Sequence, residues 1–499
     1  MTLTDNTADT DSTASHRPRR LHFAGTLLRR LTADRRATAD TVTEAPAPLQ
    51  PIDLTDDASV TAVLDLAVRV GEVLLASGTG VMDTMAQVQF IAATYGLARC
   101  DVDITYNSIT ISAARGPTMP PASTMRIVQY RSHDFTRLAA VDRLTRRIRR
   151  ELVPPNEAHR ALSEIVSAPH PYNRWVATLG WSGMAAAVSA LLGGGLLVMV
   201  VSFFTTLTID RTNRLLNRIG LPFFFQHVVG GAIAAAPAIT LYTFADDLGI
   251  QIDPSVAIAA GITVLLSGLS LVGSVQDAIT GAPITASARF FEVLISTGGI
   301  IAGIAFTLRG AELLHAKIPV IDTLAPNDII QLPVKILAGA MVALMFALAC
   351  YAERRALTAA TIGGAVGTLV FLLLQHAGFG PVISSGFAAT VIGLAGGLMA
   401  RRALTPPLVV AVAGITPLLP GLALYRGLYA SLNEQLLVGF SSLLGAVGIG
   451  CALAAGVTLG EWIARTLRRP QVKRQTGWVL RTAHRSPRTA GGRGPGMHR

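Results

Sequence analysis

The chain has 499 residues, 51% of them hydrophobic and only 15% charged, with a formal net charge of +11 at pH 7. A soluble globular chain carries charge on about a quarter of its residues, so a single soluble body is excluded, and the apolar runs between Trp175 and Trp462 mark a membrane-embedded block. The basic balance does not point to nucleic acid: no basic patch is interleaved with aromatics, and the arginine clusters stand at the ends of apolar runs, where they hold one side of a membrane protein.

Residues 1–20 contain no apolar stretch of signal-peptide type, and Leu21–Leu31 is short and crowded with arginine, so the N-terminus is expected to stay in the cytoplasm. Residues 1–58, without a sustained apolar period, read as disordered; the alternative for Leu21–Arg30 is a basic amphipathic patch lying on anionic lipid. Residues 59–170 read as a small α+β domain in the cytoplasm. Val63, Leu66, Val70, Val73 and Leu74 recur at helical spacing up to Ser77-Gly78, and a second helix fits Met82–Tyr95. The period then changes to two. Val102, Ile104 and Tyr106, then Ile109 and Ile111, alternate around an Asn107-Ser108 turn, and Met125–Arg131 is a candidate third strand. Helices at Phe135–Leu152 and Asn156–Val166 follow, the first ending in Arg143, Arg146, Arg147, Arg149 and Arg150, a cluster suited to anionic headgroups. Cys100, Cys350 and Cys451 lie far apart, with neither a disulfide framework nor metal-ligand spacing.

The apolar block divides into about ten spans, at 174–191, 194–209, 222–244, 255–275, 284–307, 330–351, 357–375, 382–400, 404–425 and 434–463. Cations set the orientation. Arg211, Arg214, Arg218, Arg354, Arg355, Arg401 and Arg402 fall in loops on one side together with the basic tail 466–499, whereas the opposite loops, including the long external loop 309–329, hold few. Both termini are therefore expected inside a multi-pass cytoplasmic (inner) membrane protein. Ten spans divided by the long loop give two halves of five, 171–308 and 330–465. An odd number per half inverts the second relative to the first, the plan of many secondary transporters. The fourth span of each half closes on small or helix-breaking residues followed by a charge: Leu271-Val272-Gly273-Ser274-Val275-Gln276-Asp277, and Pro417 to Gly427 with Tyr425 and Arg426.

Within these spans several residues are candidates for chemistry. Pro417, Pro420 and Gly421 break a helix in apolar surroundings, which frees backbone groups able to bind a zwitterion; the plain alternative is a kink or a helix end. Asp277, Arg289 and Glu292 are charges at the membrane boundary, with Arg289 and Glu292 on one helix face. Asp277 or Glu292 could carry a proton, or the three could form an interfacial ion pair. Gln226 and His227 interrupt the third span, as a proton relay or as satisfied polar groups. No Walker loop, H-E-x-x-H, G-x-S-x-G or Rossmann fingerprint is present, so neither a cofactor, a metal nor a built-in ATP drive is expected. A membrane-embedded hydrolase or sensor is the lesser alternative: His133, Asp134 and His159 are available to it, but in no recognisable arrangement.

Several segments resemble the threonine/serine exporter family of bacterial membrane carriers. In the α+β part they are Gly71-Glu72-Val73-Leu74-Leu75-Ala76-Ser77-Gly78, the Val102–Ser112 hairpin, Leu138-Ala139-Ala140-Val141, Glu157-Ala158-His159-Arg160-Ala161-Leu162, and Pro171-Tyr172-Asn173-Arg174-Trp175. In the first membrane half they are Gly268 to Gly281 and Arg289-Phe290-Phe291-Glu292; in the second, Ile415-Thr416-Pro417-Leu418-Leu419-Pro420-Gly421 and Tyr425-Arg426-Gly427. The resemblance implies a cytoplasmic N-terminal domain, about ten spans, and export of threonine and serine coupled to the proton motive force. The implied partners are an amino acid, protons and the bilayer, with a homo-oligomer left open. Relatives with the two halves as separate proteins include some linked to dicarboxylates, so export of a small dicarboxylate such as succinate is the alternative.

Overall fold

The computed structural model describes residues 51–468 apart from 118, 130, 152, 246–253, 266–267, 315–330, 404 and 433–434. The expectations for residues 1–50, most of the external loop and nearly all of the tail lie outside the described residues.

Helix α1 (Asp57–Ala76) starts where Asp56 accepts hydrogen bonds from the Ala58 and Ser59 amides, and it buries Val60, Val63, Leu64, Val70 and Leu74 along one stripe. Ahead of it, the Ile52 amide donates to the Tyr95 carbonyl at 3.0 Å, so the ordered chain begins before residue 59. Helix α2 (Val81–Thr94) follows a turn at Gly78, whose φ of +92° suits glycine. Strands β1 (Cys100–Thr105), β2 (Ser108–Ala113) and β3 (Ala122–Ile127) form an antiparallel sheet in that order, with Val102 opposite Ile111 and Ile104 opposite Ile109. The turn falls at Tyr106-Asn107, one residue ahead of the expected position, with Tyr106 in the left-handed region at φ 56°. Strand β3 also lies earlier than expected. Its apolar Met125 and Ile127 are exposed, while Arg126 turns to Asp65 and Glu72 on α1, so apolar alternation gave the wrong bounds there. Helices α3 (Phe135–Glu151) and α4 (Pro155–Ser167) complete this α+β region.

The helical region runs through α5 (Arg174–Leu191), α6 (Leu196–Arg218), α7 (Phe223–Thr243), α8 (Pro254–Ile262), α9 (Gly268–Thr280), α10 (Pro283–Leu313), α11 (Leu332–Ala349), α12 (Arg354–His376), α13 (Pro381–Ala403), α14 (Pro407–Ile415), a 3-10 turn (Thr416–Leu418), α15 (Gly421–Leu432) and α16 (Leu436–Arg468). Among the described residues, six helices are long and apolar enough to cross a membrane: α7, α10, α11, α12, α13 and α16. The remaining four expected spans differ for two reasons. Helices α5 and α6 carry more polar residues, and α6 runs on through Arg211, Arg214 and Arg218, which were expected in a loop. The other two are each divided into short pieces, α8 with α9 and α14 with α15. On α6 the arginines are accommodated locally: Arg214 pairs with Asp210 at 3.0 Å, and Thr178 of α5 donates to Asp210 at 2.7 Å.

Large apolar side chains point outward along the helices, among them Leu196, Phe204, Phe306, Leu337, Phe387 and Leu437, giving the exterior that a bilayer needs. Small residues let the helices approach closely. A Cβ at Gly231 would meet the Ile300 carbonyl, and one at Gly303 the Val228 carbonyl, so α7 and α10 pack backbone to backbone. The same device joins α13 and α16 through Gly393, Gly456 and Gly460. One apolar core continues from the α+β region into α5, α11, α12 and α14, joining Phe135 and Leu138 to Met184, Phe346 and Val409.

Candidate functional site

The two divided helices meet. Helix α8 ends at Ile262 and turns at Thr263–Leu265; α14 ends at Ile415 and passes through the 3-10 turn to Leu419 and Pro420 before α15. Pro417 cannot supply an amide to the turn and Pro420 blocks its continuation, so helix α14 stops where the sequence predicts. A Cβ on Gly268, the first residue of α9, would stand 3.4 Å from the Leu419 side chain, which brings the two interruptions into contact.

A cavity of about 270 Å³ opens at this junction, lined by Thr263, Ser270 and Thr416 from the interrupted segments, Asn213 from α6, Gln226 and His227 from α7, and His133 from the segment joining β3 to α3. A smaller one of about 70 Å³ shares Thr263, Thr416 and Leu419 with it and adds Pro417 and Pro420. The lining of the larger cavity is neutral and polar alongside Trp181, Met184, Phe223 and Phe346; among the described residues that form it there is no Lys, Arg, Asp or Glu. Open carbonyls of a helix end, open amides of a helix start and neutral side-chain dipoles are what a zwitterion requires in a low-dielectric interior. His227 is fixed there by a 2.9 Å contact between its Nδ1 and the Phe223 carbonyl. Gln226 donates to the Leu221 carbonyl at 2.7 Å.

The charged candidates gather elsewhere. Asp277 is fully buried and pairs with buried Arg289 through its Oδ2, while its Oδ1 accepts the Val81 amide at 2.9 Å. It therefore caps α2, whose own cap position is Gly80, a residue without a side chain. Glu292 does not pair with Arg289. It accepts the Tyr106 hydroxyl at 3.3 Å and faces Arg131 at 3.7 Å, both in the α+β region. Thr285 on α10 receives the Tyr106 amide at 2.9 Å and donates to the Ile104 carbonyl at 3.2 Å, seating the hairpin tip. The three charges thus hold the α+β region against α9 and α10 and do not line the cavity. Arg426 is half-buried on α15, Gly421 opens that helix, and the Tyr425 side chain lies outside what is described.

Asn213, Thr263, Ser270 and Thr416 escaped attention as site residues, and His133 was considered only for a hydrolase. Isolated neutral polar residues carry no spacing signal; only Thr416 stood beside a legible break. The residues available to a hydrolase are dispersed: Asp134 faces Arg137 and His170, and His159 contacts Arg69 at 2.9 Å and Asp65 at 3.2 Å, away from His133. Among the described residues no group of three or more His, Cys, Asp or Glu could hold a metal ion.

A family model for threonine/serine exporters matches residues 65–310, and a second, also for threonine/serine exporters, matches residues 335–463. The chain is 48% identical to a threonine/serine exporter of Corynebacterium glutamicum over 426 residues, 85% of this chain and 87% of that protein. It is 42% identical to a probable threonine/serine exporter of Mycobacterium tuberculosis over 419 residues, 83% of this chain and 78% of that protein. No solved structure matches.

Proposed function

The chain belongs to the threonine/serine exporter family, and from that premise we propose that it carries threonine and serine out of the cell by a secondary, proton-driven cycle through the cavity at the two helix interruptions. The observation that carries this reading is that cavity: two divided helices, one on either side of the long loop, bring their broken ends together around neutral polar groups sized for a small solute. Paired interruptions at the fourth position of each set of five helical segments support an inverted-repeat plan of about ten crossings. Domain limits near 59–170, 171–308 and 330–465 follow the same plan. Both termini inside fits the cation distribution and the docking of the α+β region on the end of α9 and on the loop after α11.

The lack of a cation among the described residues forming the cavity disfavours a dicarboxylate, whose two charges call for Arg or Lys. The test is counterflow in proteoliposomes holding the purified protein, with threonine, serine and succinate compared side by side. Threonine and serine are expected to exchange and succinate not to; exchange of succinate alone would transfer the proposal to dicarboxylates. An imposed pH gradient should drive net threonine movement, and indifference to it would remove the proton from the cycle.

A further inference from the structure

We propose that His133, although it belongs to the α+β region, forms part of the substrate site and hydrogen-bonds the side-chain hydroxyl of the transported amino acid. This rests on the exporter reading and adds to it a role for a segment outside the membrane helices. The cavity that reaches Thr263 and Thr416 at the helix interruptions is also lined by His133. The His133 side chain is exposed, and three backbone hydrogen bonds fix the segment that carries it. The Ser132 amide donates to the Ala76 carbonyl at 2.9 Å, the Asp134 amide to the Ser132 carbonyl at 2.8 Å, and the Phe135 amide to the Cys350 carbonyl at the end of α11 at 3.0 Å. The ring lies against Gly78, where a Cβ would come within 3.1 Å of two ring atoms and where φ is +92°, so both the space and the backbone conformation need glycine.

The protonation state suits the task. The surrounding protein, then the cations Arg289 and Arg131, hold the His133 imidazole below the ordinary histidine range. A neutral imidazole offers one donor and one acceptor, which matches a hydroxyl and does not repel the substrate's ammonium group. A site built to bond a hydroxyl also rejects an analogue lacking it, because its own polar group is then left unpaired.

The experiment uses the full chain with Cys451→Ala, because Cys350 is buried and burial pushes the Cys100 thiol up to about 12, leaving Cys451 as the native thiol to silence. In His133→Cys, modification by a small thiol reagent is followed with and without threonine. Threonine at ten times its Kd should slow modification about tenfold. In parallel, the preference for threonine over 2-aminobutyrate, which is threonine without its hydroxyl, is measured by counterflow. It should fall about tenfold or more in His133→Ala and recover in His133→Gln. Modification unaffected by threonine in a protein that still binds it overturns the inference, as does an unchanged preference in His133→Ala; the latter decides the matter if His133→Cys no longer binds. A parent protein that neither binds nor exchanges threonine overturns the exporter reading itself, and this inference with it.

Discussion

Asp277 stands in the sequence as a candidate proton carrier or ion-pair member, and it is found paired with Arg289 and capping α2. A carboxylate at a span boundary is costly without a partner, and that cost was visible in the sequence. Of its partners, Arg289, twelve residues on, stood among the ion-pair candidates, whereas the Val81 amide, nearly two hundred residues back, did not. The pair is buried, so removing one member leaves the other charge uncompensated. Asp277→Asn should keep a cap for α2, since Asn caps well, yet destabilise the protein by about 3 kcal/mol or more through the stranded Arg289. Adding Arg289→Met should restore most of that loss, because an apolar replacement of a buried ion pair is often neutral. Thermal unfolding of the purified full chain reads both variants; a single variant as stable as the parent would show that the pair is not what holds this corner. Glu292 was equally visible, but its partner Tyr106 sits on a hairpin whose docking no local pattern encodes.

At the scale of elements, the two helix interruptions differ in legibility for a physical reason. The one at Thr416–Pro420 contains two prolines, which remove amides and clash with the preceding turn, so it could be read directly. The one after Ile262 has no proline, and the small residues Gly273 and Ser274 drew attention to a point inside α9 instead. There the Ser274 hydroxyl donates to the Leu271 carbonyl at 2.8 Å and the helix continues. If the open turn is what receives the solute, straightening it should abolish transport without removing the protein from the membrane. Pro417→Ala combined with Pro420→Ala lets α14 extend, and threonine counterflow per molecule of protein is expected to fall about tenfold or more. Unaltered exchange in the double variant would mean that the interruption serves packing alone.

For the whole molecule, composition alone separated a polar N-terminal part from an apolar block, but it could not show that the two share one core. Helix α3 is amphipathic, and its stripe of Phe135, Leu138, Val141 and Leu144 would suit any apolar surface; here that surface includes Phe346 on α11. The same helix carries a polar fastening, with both terminal nitrogens of Arg143, Nη1 and Nη2, donating to the Glu353 carboxylate at 3.1 and 2.7 Å just before α12. Further fastenings join Asp83 on α2 to Arg465 on α16 at 2.9 Å, and stack His170 on Tyr351. The Arg143–Glu353 pair is about two-fifths exposed on each side, so it contributes about 1 kcal/mol or less by itself. Its value is diagnostic, since reversal replaces attraction with repulsion at the junction of the two regions. Arg143→Glu and Glu353→Arg should each raise the rate of limited proteolysis between α4 and α5 about fivefold, the change that about 1 kcal/mol of opening free energy implies. Both reversals together should return the rate to that of the parent, because the pair is re-formed in the opposite sense. Counterflow measured on the same three proteins then reveals whether docking matters to transport. Loss in both single variants with recovery in the double would tie the seating of the α+β region, and with it His133, to the working cavity, whereas equal exchange in all of them would leave the fastening a purely structural one.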